Sequence, residues 1–143
     1  MGSYRIEIRE EIPAEQDRVF ALFADHGRFG RMLGVPVKRV HESDGDDPNG
    51  VGSVRRIGIA GPLALEETIT GFEPDEAIDY AVTSRTLIRN HQGSIRFADS
   101  GNGSTHLRYL IQFDEVVPFT GRLIRETLEK GIRKGIGRAH RLL

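Results

Sequence analysis

Thr105-His106-Leu107-Arg108-Tyr109-Leu110-Ile111-Gln112-Phe113 gives way, past Pro118, to a segment of different rhythm in which Phe119, Leu123, Leu128, Ile132, Ile136 and Ala139 recur. In the first stretch Leu107, Tyr109, Ile111 and Phe113 fall on one face, the period of a half-buried strand. In the second, the apolar residues lie near one helical face with arginines and lysines opposite, the pattern of an amphipathic helix. That helix has room for about 24 residues, or ~36 Å at 1.5 Å per residue. An antiparallel sheet needs one apolar face covered, and no other element of this chain is long enough to lie across it. Gly121, Gly131, Gly135 and Gly137 fall inside the helix, where each costs up to ~1 kcal/mol. They mark either a backbone that approaches something closely or a fraying tail.

Upstream, hairpin signals recur. Strands are expected over Val35–Glu42, Ser53–Ile59, Leu63–Phe72, Ala77–Ser84, Arg89–Phe97 and Thr105–Phe113. Turns at Gly61-Pro62, Glu73-Pro74-Asp75-Glu76 and Asp99-Ser100-Gly101-Asn102-Gly103 separate them, the signature of an antiparallel meander. Tyr4–Arg9 alternates as a first strand. Pro13 then opens a helix with Val19, Phe20, Leu22 and Phe23 as its apolar stripe; Asp25-His26-Gly27 breaks it, and His26 reads as surface loop. A second short helix holds Phe29, Met32 and Leu33. The fold class is α+β: one strand, two short helices, six strands and a long helix, in a single domain over residues 1–143.

Composition narrows the function. The chain is 38% hydrophobic and 29% charged with a formal net charge of -1, which recruits neither nucleic acid nor an anionic membrane in bulk. It has no cysteine, so thiolate nucleophiles, disulfides and cysteine metal sites are excluded. His41, His91, His106 and His140 lack metal-ligand spacing, and no cofactor motif is present. No stretch approaches the ~20 apolar residues of a membrane span. Met1-Gly2-Ser3-Tyr4 lacks a signal's apolar run, so the expected location is cytoplasmic.

Several stretches together resemble the START-like, helix-grip (SRPBCC) superfamily, most of all bacterial members of its polyketide cyclase/dehydrase-like branch. They are Gly52-Ser53-Val54-Arg55-Arg56-Ile57, Leu65-Glu66-Glu67-Thr68-Ile69-Thr70 with Phe72-Glu73-Pro74, Tyr80-Ala81-Val82, His91-Gln92-Gly93-Ser94-Ile95 and Ser104 through Phe113. The resemblance implies a helix-grip fold: a seven-stranded curved antiparallel sheet wrapped around the C-terminal helix, enclosing a cavity. It implies a small hydrophobic ligand, such as a polyketide, a lipid or another aromatic or isoprenoid molecule. Some relatives add cyclase, aromatase or dehydratase activity. Others are non-catalytic lipid or quinone carriers or chaperones, and others again are interaction modules that activate a chaperone. Oligomeric state stays open.

The turns set a register. Ile57 faces Leu65, Arg55 faces Glu67, Ser53 faces Ile69, Ile69 faces Tyr80, Glu67 faces Val82, Tyr80 faces Ile95, His91 faces Ser84, Ile95 faces Tyr109 and Phe97 faces Leu107. One face then collects Ile57, Ile59, Leu65, Ile69, Tyr80, Val82, Ile95, Phe97, Leu107, Tyr109, Ile111 and Phe113, with Arg55, Glu67 and His91 among them. Of these, Tyr80, Tyr109, Ile57, Leu65, Ile69, Ile95, Phe97, Ile111 and Phe113, together with Ile132 from the helix, are the expected ligand contacts. Glu67, His91 and Arg55 are the candidate catalytic groups: Arg55 to hold a ligand oxygen, Glu67 or His91 to move a proton. A structural alternative stands beside this. Arg55–Glu67 then serves as a cross-strand ion pair worth about 1 kcal/mol or less, His91 as a strand-end residue and the tyrosines as core.

Overall fold

A computed structural model describes residues 2–58, 65–84 and 86–143. Its elements run β1 (Ser3–Ile12), α1 (Gln16–Ala24), α2 (His26–Leu33), β2 (Val37–His41), β3 (Val54–Ile57), β4 (Leu65–Glu73), β5 (Ala77–Val82), β6 (Ile88–Gly101), β7 (Ser104–Glu115) and α3 (Gly121–Leu142). All seven strands join one antiparallel sheet in the order β1-β7-β6-β5-β4-β3-β2. The sheet curves, and the 22-residue α3 packs against β1 and α2. This is the helix-grip α+β fold. No helix among the described residues is long and apolar enough to cross a membrane.

The meander follows from alternation. Along β7, Thr105, Leu107, Tyr109, Ile111, Phe113 and Glu115 are all buried while the residues between them are not. Ile6, Ile8 and Ile12 do the same on β1. The core they share with Val19, Phe20, Leu22 and Phe23 of α1, Phe29 and Met32 of α2, and Ile132, Ile136 and Ala139 of α3 is one cluster. Each fully buried side chain of this size contributes roughly 1.5–3 kcal/mol.

Three expectations need correcting. Tyr80 faces Gly93, and Ile95 faces Ile78, a slip of two residues from the expected Tyr80–Ile95 pair. A two-residue slip preserves the face. The reason is steric: the Tyr80 ring lies over Gly93, where an added Cβ would come within 2.3 Å of it. Second, Phe119 and Leu123 are not on the helix stripe; they are 97% and 68% exposed. The stripe is Gly121, Ile124, Leu128, Ile132, Gly135, Ile136 and Ala139, buried or half-buried. Gly121 seats the helix start on Tyr4, leaving only 2.0 Å for a Cβ, and Gly135 lies against the Met32 carbonyl. Two of the helix glycines therefore serve close approach, while Gly131 and Gly137 meet nothing within 4 Å. Third, His26 is no surface loop. Asp25 caps α2, its Oδ1 accepting from the Arg28 N–H at 2.9 Å, and His26 is buried. The Gly61-Pro62 turn and Ile59 lie outside the described residues.

Gly93→Ala makes the first of these contacts testable. The new methyl must displace the Tyr80 ring, and overpacking of this kind costs about 1–3 kcal/mol. Urea unfolding should show that loss, whereas Gly137→Ala, in open space, should lose nothing.

Candidate functional site

The described part of β3 and β4 pairs Ile57 with Leu65 and Arg55 with Glu67, as the sequence requires. β4 carries this pair to β5, where Glu67 faces Val82 and Ile69 faces Tyr80. Between this part of the sheet, α2 and α3 lies a cavity of about 90 Å³, walled by Phe29, Leu33, Ile57, Leu65, Glu67, Tyr80, Val82, Ile88, His91, Tyr109, Ile111, Leu128 and Ile132. Its wall is almost wholly apolar. The half-buried Leu33, Ile57, Leu65, Val82 and Leu128 mark its outer end.

Of the expected contacts, Tyr80, Tyr109, Ile57, Leu65, Ile111 and Ile132 line the cavity, with Glu67 and His91. Ile69, Ile95, Phe97 and Phe113 are buried but off its wall. Phe97 packs edge-on against Phe20 and Phe23, and Phe113 stacks on Tyr4. These positions share the concave face, but α1 covers Phe97 and the cross-strand neighbour Tyr4 lies against Phe113. Phe29, Leu33, Ile88 and Leu128 were not among the expected contacts. The first two sit on the second short helix and Leu128 on the long one, and sheet register says nothing about where a helix lands.

Arg55 is 1% exposed yet also off the wall. Its Nη2 donates to Glu67 Oε1 at 3.3 Å. Its Cζ stands 4.2 Å from the Phe29 ring centroid and 5.0 Å from that of Tyr80. The two rings and Glu67 thus separate the guanidinium from the cavity. Arrangements like this favour the cation by its interaction with the ring faces. Burial pushes the Glu67 carboxyl up from its ordinary value, and the Arg55 charge offsets this only in part.

His91 Nδ1 accepts from the Val82 N–H at 3.2 Å. A neutral imidazole accepting at Nδ1 carries its proton on Nε2. Burial brings this ring down to about 4, and the Arg55 charge acts in the same sense. Tyr80 and Tyr109 hydrogen-bond to each other through their hydroxyls. Burial raises both phenols above their ordinary range. Four buried polar atoms have no partner among the described residues: both ring nitrogens of His26, Ser53 Oγ and Arg55 Nε. Burial, then the charges of Arg55 and Arg39, bring His26 down to about 4.

The family model described as polyketide cyclase / dehydrase and lipid transport matches residues 3–143. No curated protein matches the sequence. Among solved structures, a START superfamily protein from Mycobacterium smegmatis superposes with a TM-score of 0.79 at 14% identity, over 99% of this chain and 100% of that one. Norcoclaurine synthase from Thalictrum flavum, solved with dopamine and hydroxybenzaldehyde, gives 0.69 at 12% identity over 96% and 86%. The Mll3558 protein from Rhizobium loti gives 0.65 at 20% identity over 94% and 96%. At such identities the likeness is one of fold.

Proposed function

This chain belongs to the polyketide cyclase / dehydrase and lipid transport family, and from that premise we propose that its cavity binds one small, largely apolar molecule through a single polar end. The observation that carries the reading is the convergence of Glu67, His91, Tyr80 and Tyr109 on an otherwise apolar void. A few placed polar groups in an apolar concavity are the usual form of a small-molecule site. The void of about 90 Å³ is well short of the ~300–1,000 Å³ of a drug-sized pocket. It takes a ring-sized group, with the remainder of a longer ligand passing Leu33 and Leu128 at the outer end. Glu67 and His91 are the two groups placed to exchange a proton with a ligand oxygen, as a cyclisation or dehydration of a polyketide-like chain requires. Arg55 holds Glu67 in place and reaches the ligand only through it.

Ile132→Phe fills the void from α3 and tests the reading. Native mass spectrometry of the purified wild-type protein should show a bound small molecule, lost in Ile132→Phe and retained in the surface variant Leu123→Ala. A protein that never carries an adduct, with Ile132→Phe no different from wild type, removes the ligand site.

One observation favours a second reading. Leu87, Val116, Val117, Phe119 and Leu123 are exposed around the β7–α3 junction, where the Val116 N–H donates to the Leu87 carbonyl. Exposed apolar groups gathered in one place mark interaction surfaces, so an empty cavity would leave a protein-docking module as the better account.

A further inference from the structure

We infer that the cavity selects an uncharged carbonyl compound, its oxygen accepting a hydrogen bond from His91 Nε2–H, and rejects carboxylates of the same shape. This deepens the reading just proposed and rests on it.

The His91 ring accepts from the Val82 N–H at Nδ1, which fixes its remaining hydrogen on Nε2 as a donor. Nε2 makes no hydrogen bond to any described residue, and His91 lines the cavity. In the Tyr80–Tyr109 pair one hydroxyl donates to the other, so the accepting hydroxyl keeps a hydrogen of its own to give. Glu67 Oε1 is held by Arg55, and Oε2 meets no donor among the described residues. The polar groups on the wall therefore present hydrogens to the cavity at His91 and at the tyrosine pair.

Among the described residues the wall offers no cation. The Arg55 guanidinium is paired with Glu67 and enclosed by the Phe29 and Tyr80 rings. A ligand carboxylate would enter without a counter-charge, beside a glutamate, in an apolar wall. An unpaired buried charge is far more costly than an unpaired dipole. If Glu67 is ionised the repulsion adds to that cost, and if it is protonated it becomes one more donor to a neutral oxygen. Both protonation states select in the same direction. A pure hydrocarbon fits the wall but leaves the His91 N–H without a partner, a penalty of about 1 kcal/mol, or about fivefold in affinity.

The test is a matched ligand series on the whole chain: acetophenone, ethylbenzene and benzoate, titrated at pH 7 by ligand-observed NMR. Acetophenone should bind about fivefold more tightly than ethylbenzene, and benzoate should bind at least about a hundredfold more weakly than acetophenone. His91→Gln, whose amide retains both an acceptor for Val82 and a donor, should keep the order. His91→Leu should narrow the gap between acetophenone and ethylbenzene, leaving the tyrosine pair as the remaining donor. Ethylbenzene equal to acetophenone on the wild-type protein overturns the inference, and so does benzoate binding best, while leaving the cavity as a ligand site. Binding by none of the three overturns the cavity reading itself, and this inference with it.

Discussion

Arg55→Met should cost about 3–5 kcal/mol of unfolding free energy at pH 7, the price of stranding a buried charge. Arg55 and Glu67 are 1% and 6% exposed at their side chains and lie 3.3 Å apart. Removing the cation leaves the Glu67 carboxyl with a choice between an uncompensated charge and a proton. Glu67 already has its pKa raised by burial, and loss of Arg55 removes the group opposing that rise. A carboxyl whose folded pKa exceeds its unfolded value adds stability that is complete below the unfolded pKa and lost as pH rises through the folded one. The variant should therefore look least damaged near pH 4.5 and most damaged at neutral pH. Arg55→Met with Glu67→Met removes both charges and should recover much of the loss, since apolar replacements of a whole buried pair are often neutral or better. Urea titrations of the two single variants and the double variant, read as a cycle, measure the coupling. A single variant within about 1 kcal/mol of wild type would mean that the pair is solvated, and the case for a dry cavity wall would go with it.

How much of this was legible beforehand depended on which physical rule set each feature. Arg55–Glu67 was readable because a short hairpin transmits register directly. So were Ile95–Tyr109 and Phe97–Leu107 across the Gly101–Gly103 turn. The β5–β6 register was missed by two because a glycine shows no side chain to count. Gly93 is the residue over which Tyr80 lies. The same blindness misplaced the helix stripe. Gly121, anchored by its N–H donating to Glu115 Oε2 at 2.8 Å, sets the phase that turns Leu123 outward. The cavity was the least legible feature. Sheet residues share a face by period alone, but which of them border empty space depends on where Phe29, Leu33 and Leu128 come to rest. His26 could have been found: Asp25 followed by a helical stretch is an N-cap signal, and it places the next residue in the first turn, not in a loop.

That buried histidine underlies the second large effect, a loss of stability in mild acid that begins well above the carboxylate range. His26 and His91 are 3% and 7% exposed, and both fall from 6.5 to about 4 in the folded protein. Burial is the first cause at both; the Arg55 and Arg39 charges add to it at His26, where the Asp25 charge opposes them, and the Arg55 charge adds to it at His91. A depressed folded pKa gives stability that is present above the unfolded value and lost as pH falls toward the folded one. Between pH 6.5 and 4 the unfolded chain takes up two protons that the folded chain refuses, about 3 kcal/mol for each histidine at the lower end. Glu67 runs the other way and offsets part of this, because its raised pKa lets the folded form bind a proton first. Glu7, Glu11, Asp114 and Glu115 are held below their ordinary values, so their losses begin only near those ordinary values and leave the step from pH 7 to 5.5 to the histidines. Urea unfolding at pH 7, 5.5 and 4.5 should show the decline. His26→Leu separates its origin, because neither ring nitrogen has a partner among the described residues. It should match or exceed wild type at pH 7, where an unsatisfied polar ring has been replaced by an apolar group, and fall more gently as acid is added. An unchanged slope in that variant would mean that His26 is already protonated or open to water, and the core around Arg55 would then have to be less dry than its burial implies.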